Sequence, residues 1–181
     1  VIIDCGAYYE QEKEALKKYI ESNGLKVRHL IATHGHIDHN FGDKFVYDTW
    51  GVKPEAGTAD DQLFKSMPEQ AKAICGIDNL TQDDFVCVGK CLDEHDTVDF
   101  GSHKFTVLET PGHSPGGLTY YCEQERVAFT GDTLFQGSIG RTDFEGGSMF
   151  MMLMSLRHLS QLPDDVRVFP GHGAETTIGA E

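Results

Sequence analysis

The chain has 181 residues, 39% apolar and 24% charged, the balance of a folded domain with a sizeable core rather than a disordered segment. Its 29 acidic side chains outnumber 15 basic ones, and a net charge of −14 repels phosphate backbones, so a nucleic-acid partner is not expected. No run approaches the roughly 18 apolar residues that cross a bilayer, so no membrane partner is expected, and no signal peptide is visible at Val1.

Val1 to Asp4 reads as a strand meeting a loop at Asp4-Cys5-Gly6. Glu10 to Ser22 places Ala15, Leu16, Tyr19 and Ile20 on one helical face, and Asn23-Gly24 ends it. Val27 to Thr33 is the next strand, and Ile37 to Trp50 a helix carrying Phe41, Phe45 and Trp50. Val52 to Pro54 is a short strand, and Thr58 to Ile74 is helical in composition, interrupted at Pro68. Thr97 to Leu108 is a hairpin turning at Gly101-Ser102, and Leu118–Cys122 with Arg126–Thr130 a second one turning at residues 123–125. Met149 to Leu159 is an amphipathic helix, and Val166 to Phe169 the last strand. Trp50 and the Met149–Met154 cluster are assigned to core or pocket lining. No linker or repeat divides residues 1–181, so one domain is expected, with two sheets packed face to face and helices outside.

The chemistry is concentrated in His34-Gly35-His36-Ile37-Asp38-His39. Imidazole and carboxylate are good ligands for a borderline divalent cation such as zinc. In extended backbone His34 and His36 point the same way and can grip one metal. A turn after them swings Asp38 and His39 elsewhere, toward a second. Four further candidates follow strands: Asp4, His113 in Thr110-Pro-Gly-His-Ser-Pro-Gly-Gly117, Asp132 in Thr130-Gly-Asp-Thr133, and His172 in Phe169-Pro-Gly-His-Gly173. Singly, each is an ordinary turn residue. Together, five His and two Asp meet the needs of a binuclear site, with Asp4 behind them orienting a ligand histidine. The cysteines, Cys5, Cys75, Cys87, Cys91 and Cys122, form no Cys-x-x-Cys pair and read as reduced, mostly buried thiols of a cytoplasmic protein. His29, His95, His103 and His158 lack motif partners and are read as surface or core residues.

The set from Asp4 to His172 resembles the metallo-β-lactamase superfamily in family order. Gly131-Asp-Thr-Leu-Phe135 and the Gly137–Gly146 run are similar to short bacterial glyoxalase II-like proteins (hydroxyacylglutathione hydrolase-like). The resemblance implies an α+β fold, an αβ/βα four-layer sandwich of two mixed β-sheets with the metals at one edge. It places His34, His36 and His113 on one metal, Asp38, His39 and His172 on the other, and Asp132 between them. Two divalent ions are implied, zinc foremost, with iron and manganese as alternatives. The implied reaction is hydrolysis of a small-molecule thioester, S-acylglutathione or a similar thiol carrier, by a metal-bridging hydroxide, with Asp38 orienting the nucleophile and accepting a proton. A thiol, with a pKa near 8.5, departs as thiolate without a dedicated acid.

Some features depart from that pattern. Strands that precede Val1 in the family are not in this chain. Nine residues follow His172, so the basic C-terminal extension that binds glutathione is not matched. Arg141 and Asp143 stand where the family has Lys and Tyr. Gly140-Arg-Thr-Asp143 also resembles persulfide dioxygenases, which use one iron; that activity and lactone hydrolysis are the alternatives. Arg141 is the candidate substrate clamp for a carboxylate, against a competing ion pair with Asp143 or Glu145. Nothing in the sequence specifies an oligomeric state.

Overall fold

A computed structural model describes residues 1–181. The N-terminal half builds a four-stranded sheet from β1 (Ile2–Ile3), β2 (Leu30–Ile31), β3 (Pro54–Gly57) and β4 (Lys90–Leu92), in that order and parallel at every pairing. Parallel neighbours need crossovers, and these are α1 (Glu10–Ser22), α2 (Asp43–Trp50), and the consecutive α3 (Asp61–Lys65) and α4 (Met67–Cys75). The C-terminal half supplies β5 (Thr97–Phe100), β6 (His103–Glu109), β7 (Leu118–Cys122) and β8 (Val127–Gly131) as an antiparallel meander. A small hairpin, β9 (Leu134–Phe135) and β10 (Ser138–Ile139), and α5 (Met149–Leu159) follow. β11 (Arg167–Pro170) then joins β8 in parallel, and β12 (Thr176–Thr177) closes the order β12-β11-β8-β7-β6-β5.

The period of two along each strand sorts side chains into four layers. Ile31 and Leu92 face Val98, Phe105, Val107, Leu118 and Tyr120 in the core between the sheets. The neighbouring Leu30 points the other way, to Leu16, Val46 and Trp50 of α1 and α2. Leu108, one residue after Val107, packs with Ala128, Val168 and Leu159 beneath α5. The sheets are pinned by Tyr120, whose hydroxyl donates to the Ala32 carbonyl at 2.7 Å, and by the Leu118 amide, which donates to the Thr33 carbonyl at 2.7 Å.

Several expectations are adjusted. Ile37–Trp50 is a 3-10 turn, Ile37–His39, followed by α2. Asn40 ties its amide to the His34 and His36 carbonyls, and the Gly42 amide donates to Cys5, so the helix restarts only at Asp43. The Thr58–Ile74 stretch is interrupted as expected, at Ser66 between α3 and α4, and Pro68 sits in the first turn of α4, where its missing N–H costs nothing. The strand expected at Val52–Pro54 lies at Pro54–Gly57, and the one at Val27–Thr33 pairs only over Leu30–Ile31. Of the Met149–Met154 cluster only Met152 is buried; Phe150 is 70% exposed, and Met149, Met151 and Met154 also face outward. All five cysteines are free thiols, but Cys75, Cys87 and Cys91 are exposed rather than buried. No helix is long and apolar enough to cross a membrane.

Candidate metal centre

β1 and β2 are parallel, and β6, β8 and β11 share one direction through β7. Their C-terminal ends therefore deliver Asp4, the His34–His39 loop, His113, Asp132 and His172 to one edge of the sandwich. Donor atoms of His34, His36 and His113 lie within 4.8 Å of one another, and so do those of Asp38, His39 and His172. His36 Nδ1 is 2.8 Å from His113 Nε2, and His39 Nε2 is 3.2 Å from His172 Nε2. Asp132 lies between the sets: Oδ1 is 3.5 Å from His39 Nε2, and Oδ2 is 3.5 Å from His113 Nε2 and 3.7 Å from His172 Nε2. Asp38 Oδ2 is 3.3 Å from His172 Nε2. A cleft of about 330 Å³ opens over Asp4, Asp38, His39, Gly171 and His172.

The polar groups behind the histidines fix their tautomers. Thr33 Oγ1 donates its one hydrogen to Asp4 Oδ2 at 2.7 Å, so toward His34 Nδ1, at 3.0 Å, it accepts. His34 then carries its proton on Nδ1, and its buried Nε2, which has no hydrogen-bond partner, offers a lone pair to the site. His39 Nδ1 donates to Asp4 Oδ2 at 3.0 Å, and His113 Nδ1 donates to the Arg141 carbonyl at 2.8 Å. Three imidazoles thus present bare Nε2 atoms, each oriented by an acceptor behind it, which is how metal-binding histidines are held. Asp4 also accepts from the Thr33 amide at 2.7 Å, bonds that keep its backbone in the left-handed region at φ 48°.

Burial, reinforced by the neighbouring imidazoles, holds His34 well below the usual histidine range and lowers His36 to about 4, so both are neutral near pH 7. Burial also works to lower His39, but the Asp4 hydrogen bond and the charges of Asp4, Asp132 and Asp38 prevail and raise it. Asp132 is raised by burial, against the pull of His39, His113 and His172. Its Oδ1 is buried without a hydrogen-bond partner. Orphaned carboxylate and imidazole donors converging at one point, with too few protons to satisfy each other, fit divalent cations.

The approach of these loops needs glycine at two positions. Gly131 has φ +50° beneath the Thr33 side chain, and a Cβ on Gly171 would meet His39 Cε1 at 2.6 Å. Arg141 sits apart from the donors. Its guanidinium is exposed, forms two bonds to Asp143 at 2.6 and 2.7 Å, and lies 4.2 Å from the Phe144 ring centre. The ion pair weighed in the sequence has formed, and Arg141 reaches the site through its carbonyl. Phe144, which sequence reasoning missed, packs its ring 5.0 Å from His36 and 5.7 Å from His113. Asn40, Asp60 and Gln70, which support the histidine loop, were also missed; each is an unremarkable polar residue before the chain folds. His29 pairs with Glu55 at 2.6 Å and His103 with Glu125 at 2.7 Å, while His95 and His158 lie by Glu94, all away from the centre.

The fold and this constellation define a metal-dependent enzyme class, and the chain belongs to the metallo-beta-lactamase superfamily, whose family model matches residues 1–172. Members are generally hydrolases with a dinuclear metal site. The chain is 38% identical over 186 residues to hydroxyacylglutathione hydrolase GloC of Haemophilus influenzae, spanning 99% of this chain and 82% of that one. It matches the crystal structure of TTHA1623 in a di-iron-bound form with TM-score 0.86 and 32% identity, covering 98% of this chain and 84% of that one. The crystal structure of BLEG-1 B3 metallo-beta-lactamase matches with TM-score 0.85 and 32% identity, over 98% and 83% of the two chains.

Proposed function

We propose that this chain is a thioesterase of the hydroxyacylglutathione hydrolase type, using two divalent cations to hydrolyse an acyl thioester of glutathione or a similar small thiol. The observation that carries it is the pair of complete donor triads, joined through Asp132. His34, His36 and His113 would hold one ion, Asp38, His39 and His172 the other. When bound, the ions supply positive charge that activates water and polarises an acyl carbonyl. Zinc suits the histidine-rich donors, with iron and manganese as alternatives.

The protein groups perform the rest. Asp132, largely buried between the triads, sets their spacing. Asp4 holds His39 in one tautomer and keeps its ring aimed at the centre. Asp38 is 43% exposed at the cleft, where its carboxylate can orient an attacking water and take its proton. Phe144 shields the His36 and His113 side from solvent. A thiolate leaves without a general acid, and a thioester therefore suits this site better than an amide. The substrate carboxylate that Arg141 would clamp must displace Asp143, whose carboxyl the guanidinium lowers to about 2. Free thiols at all five cysteines support a reducing compartment such as the cytoplasm.

One preparation tests the reading: metal analysis, hydrolysis of S-lactoylglutathione, a lactone and a β-lactam, and oxygen uptake with glutathione persulfide. Two ions per chain and rapid thioester hydrolysis without oxygen uptake are expected. One iron with oxygen uptake would replace this reading with persulfide dioxygenation.

A further inference from the structure

Both loops that carry the first donor triad are tied to one buried carboxylate lying outside it. Asp60, fully buried in a 3-10 turn after β3, accepts from the Gly35 amide at 2.7 Å and the Ser114 hydroxyl at 2.8 Å through Oδ2. Its Oδ1 accepts from the Gly116 amide at 2.5 Å. Gly35 stands between His34 and His36, and Ser114 directly follows His113. The three ligands therefore come from loops separated by 77 residues yet share one acceptor. Glycine at both contacts lets the carboxylate in: a Cβ on Gly35 would crowd Asp60 Cβ at 3.3 Å, and one on Gly116 would meet the Asp60 amide at 2.5 Å. The second triad is built differently, since Asp38, His39 and His172 make no bond to Asp60.

The geometry points to Asp60 as a positioning residue for one metal only: it holds His34, His36 and His113 at ligand spacing and leaves the other triad independent. All three groups that face it are donors, so an acceptor-only carboxylate is required. Asparagine is nearly isosteric but must turn its NH₂ toward at least one N–H, leaving a buried donor unsatisfied. The inference rests on the two-metal reading of the site.

Zinc affinity by chelator competition tests it in two backgrounds. In His172→Ala the remaining ion sits in the first triad, and adding Asp60→Asn is expected to weaken it about 10–100-fold, the usual cost of losing a group that orients ligands. In His36→Ala the remaining ion sits in the second triad, and Asp60→Asn is expected to leave its affinity within about twofold. A merely structural role would weaken both backgrounds alike, and that result overturns the inference, as does no loss in either. Should Asp60→Asn fail to fold, Ser114→Ala, which removes one of the three bonds, is read the same way, with about tenfold expected in the first background alone. A wild-type chain that takes up no zinc overturns the metal reading itself; two zinc ions in the wild type with an equal loss in both backgrounds overturns only the role of Asp60.

Discussion

Asp4 and Asp132 face the same imidazole from opposite sides, Asp4 at His39 Nδ1 and Asp132 at Nε2. Asp4 reaches the first triad behind His34, through Thr33, whereas Asp132 lies between the two triads, 3.5 Å from His113 Nε2. Replacing it with alanine removes the group common to both sets, so Asp132→Ala should bind at most one ion and keep less than about one-hundredth of the activity, read by metal analysis and steady-state kinetics. Asp4→Asn keeps the shape but can turn an NH₂ toward His39 Nδ1–H; metal affinity should fall about 10–100-fold in chelator competition. Acid should act on the histidines. His34 and His36 have lowered values in the fold, His36 to about 4, while the unfolded chain takes up protons near 6.5. Between those values the unfolded state binds more protons at these two positions, so in thermal melts of the metal-free protein at stepped pH His36→Ala should gain stability relative to the wild type as pH falls from about 6.5 toward 4. His39 and the carboxyls of Asp43, Asp60 and Asp132, all raised, bind protons more readily in the fold and work against this effect of His34 and His36.

At the scale of elements, the two sheets depend on few polar links. Tyr120→Phe leaves the buried Ala32 carbonyl without its hydroxyl donor and should cost about 1–3 kcal/mol in urea denaturation, with metal content unchanged. Arg141→Ala removes an exposed guanidinium while its backbone carbonyl still orients His113, so metal content should hold while KM for a carboxylate-bearing thioester rises severalfold. The elements legible in the sequence were those with a sustained period: α1, α5 and the two hairpins β5–β6 and β7–β8. Of the six strands that span two or three residues, β1 and β2 were legible because they sit in longer apolar runs, while β4, β9, β10 and β12 carry no alternation to read. The Ile37–Trp50 stretch has helical composition throughout, but the Asn40 side chain bonds back to the His34 and His36 carbonyls and the Gly42 amide reaches the distant Cys5 carbonyl, which divides it.

Across the whole molecule, the site is a product of strand direction. Parallel pairing of β1 with β2 and of β8 with β11 sends loops separated by more than a hundred residues to one edge, as the His39–His172 contact across 133 residues shows. The donor residues were readable because four crowd into the His34–His39 hexapeptide and the other three, His113, Asp132 and His172, each follow a glycine near a strand end. Asp60 was not, because its meaning comes from bonds to residues 25 and 54 positions away. On this reading each triad takes one divalent ion, with Asp132 between them. Titrating the metal-free protein with zinc under calorimetry tests it most directly. Two ions per chain, falling to at most one in Asp132→Ala, is the result predicted; a wild-type chain that saturates at a single ion, or a variant that still binds two, would contradict it.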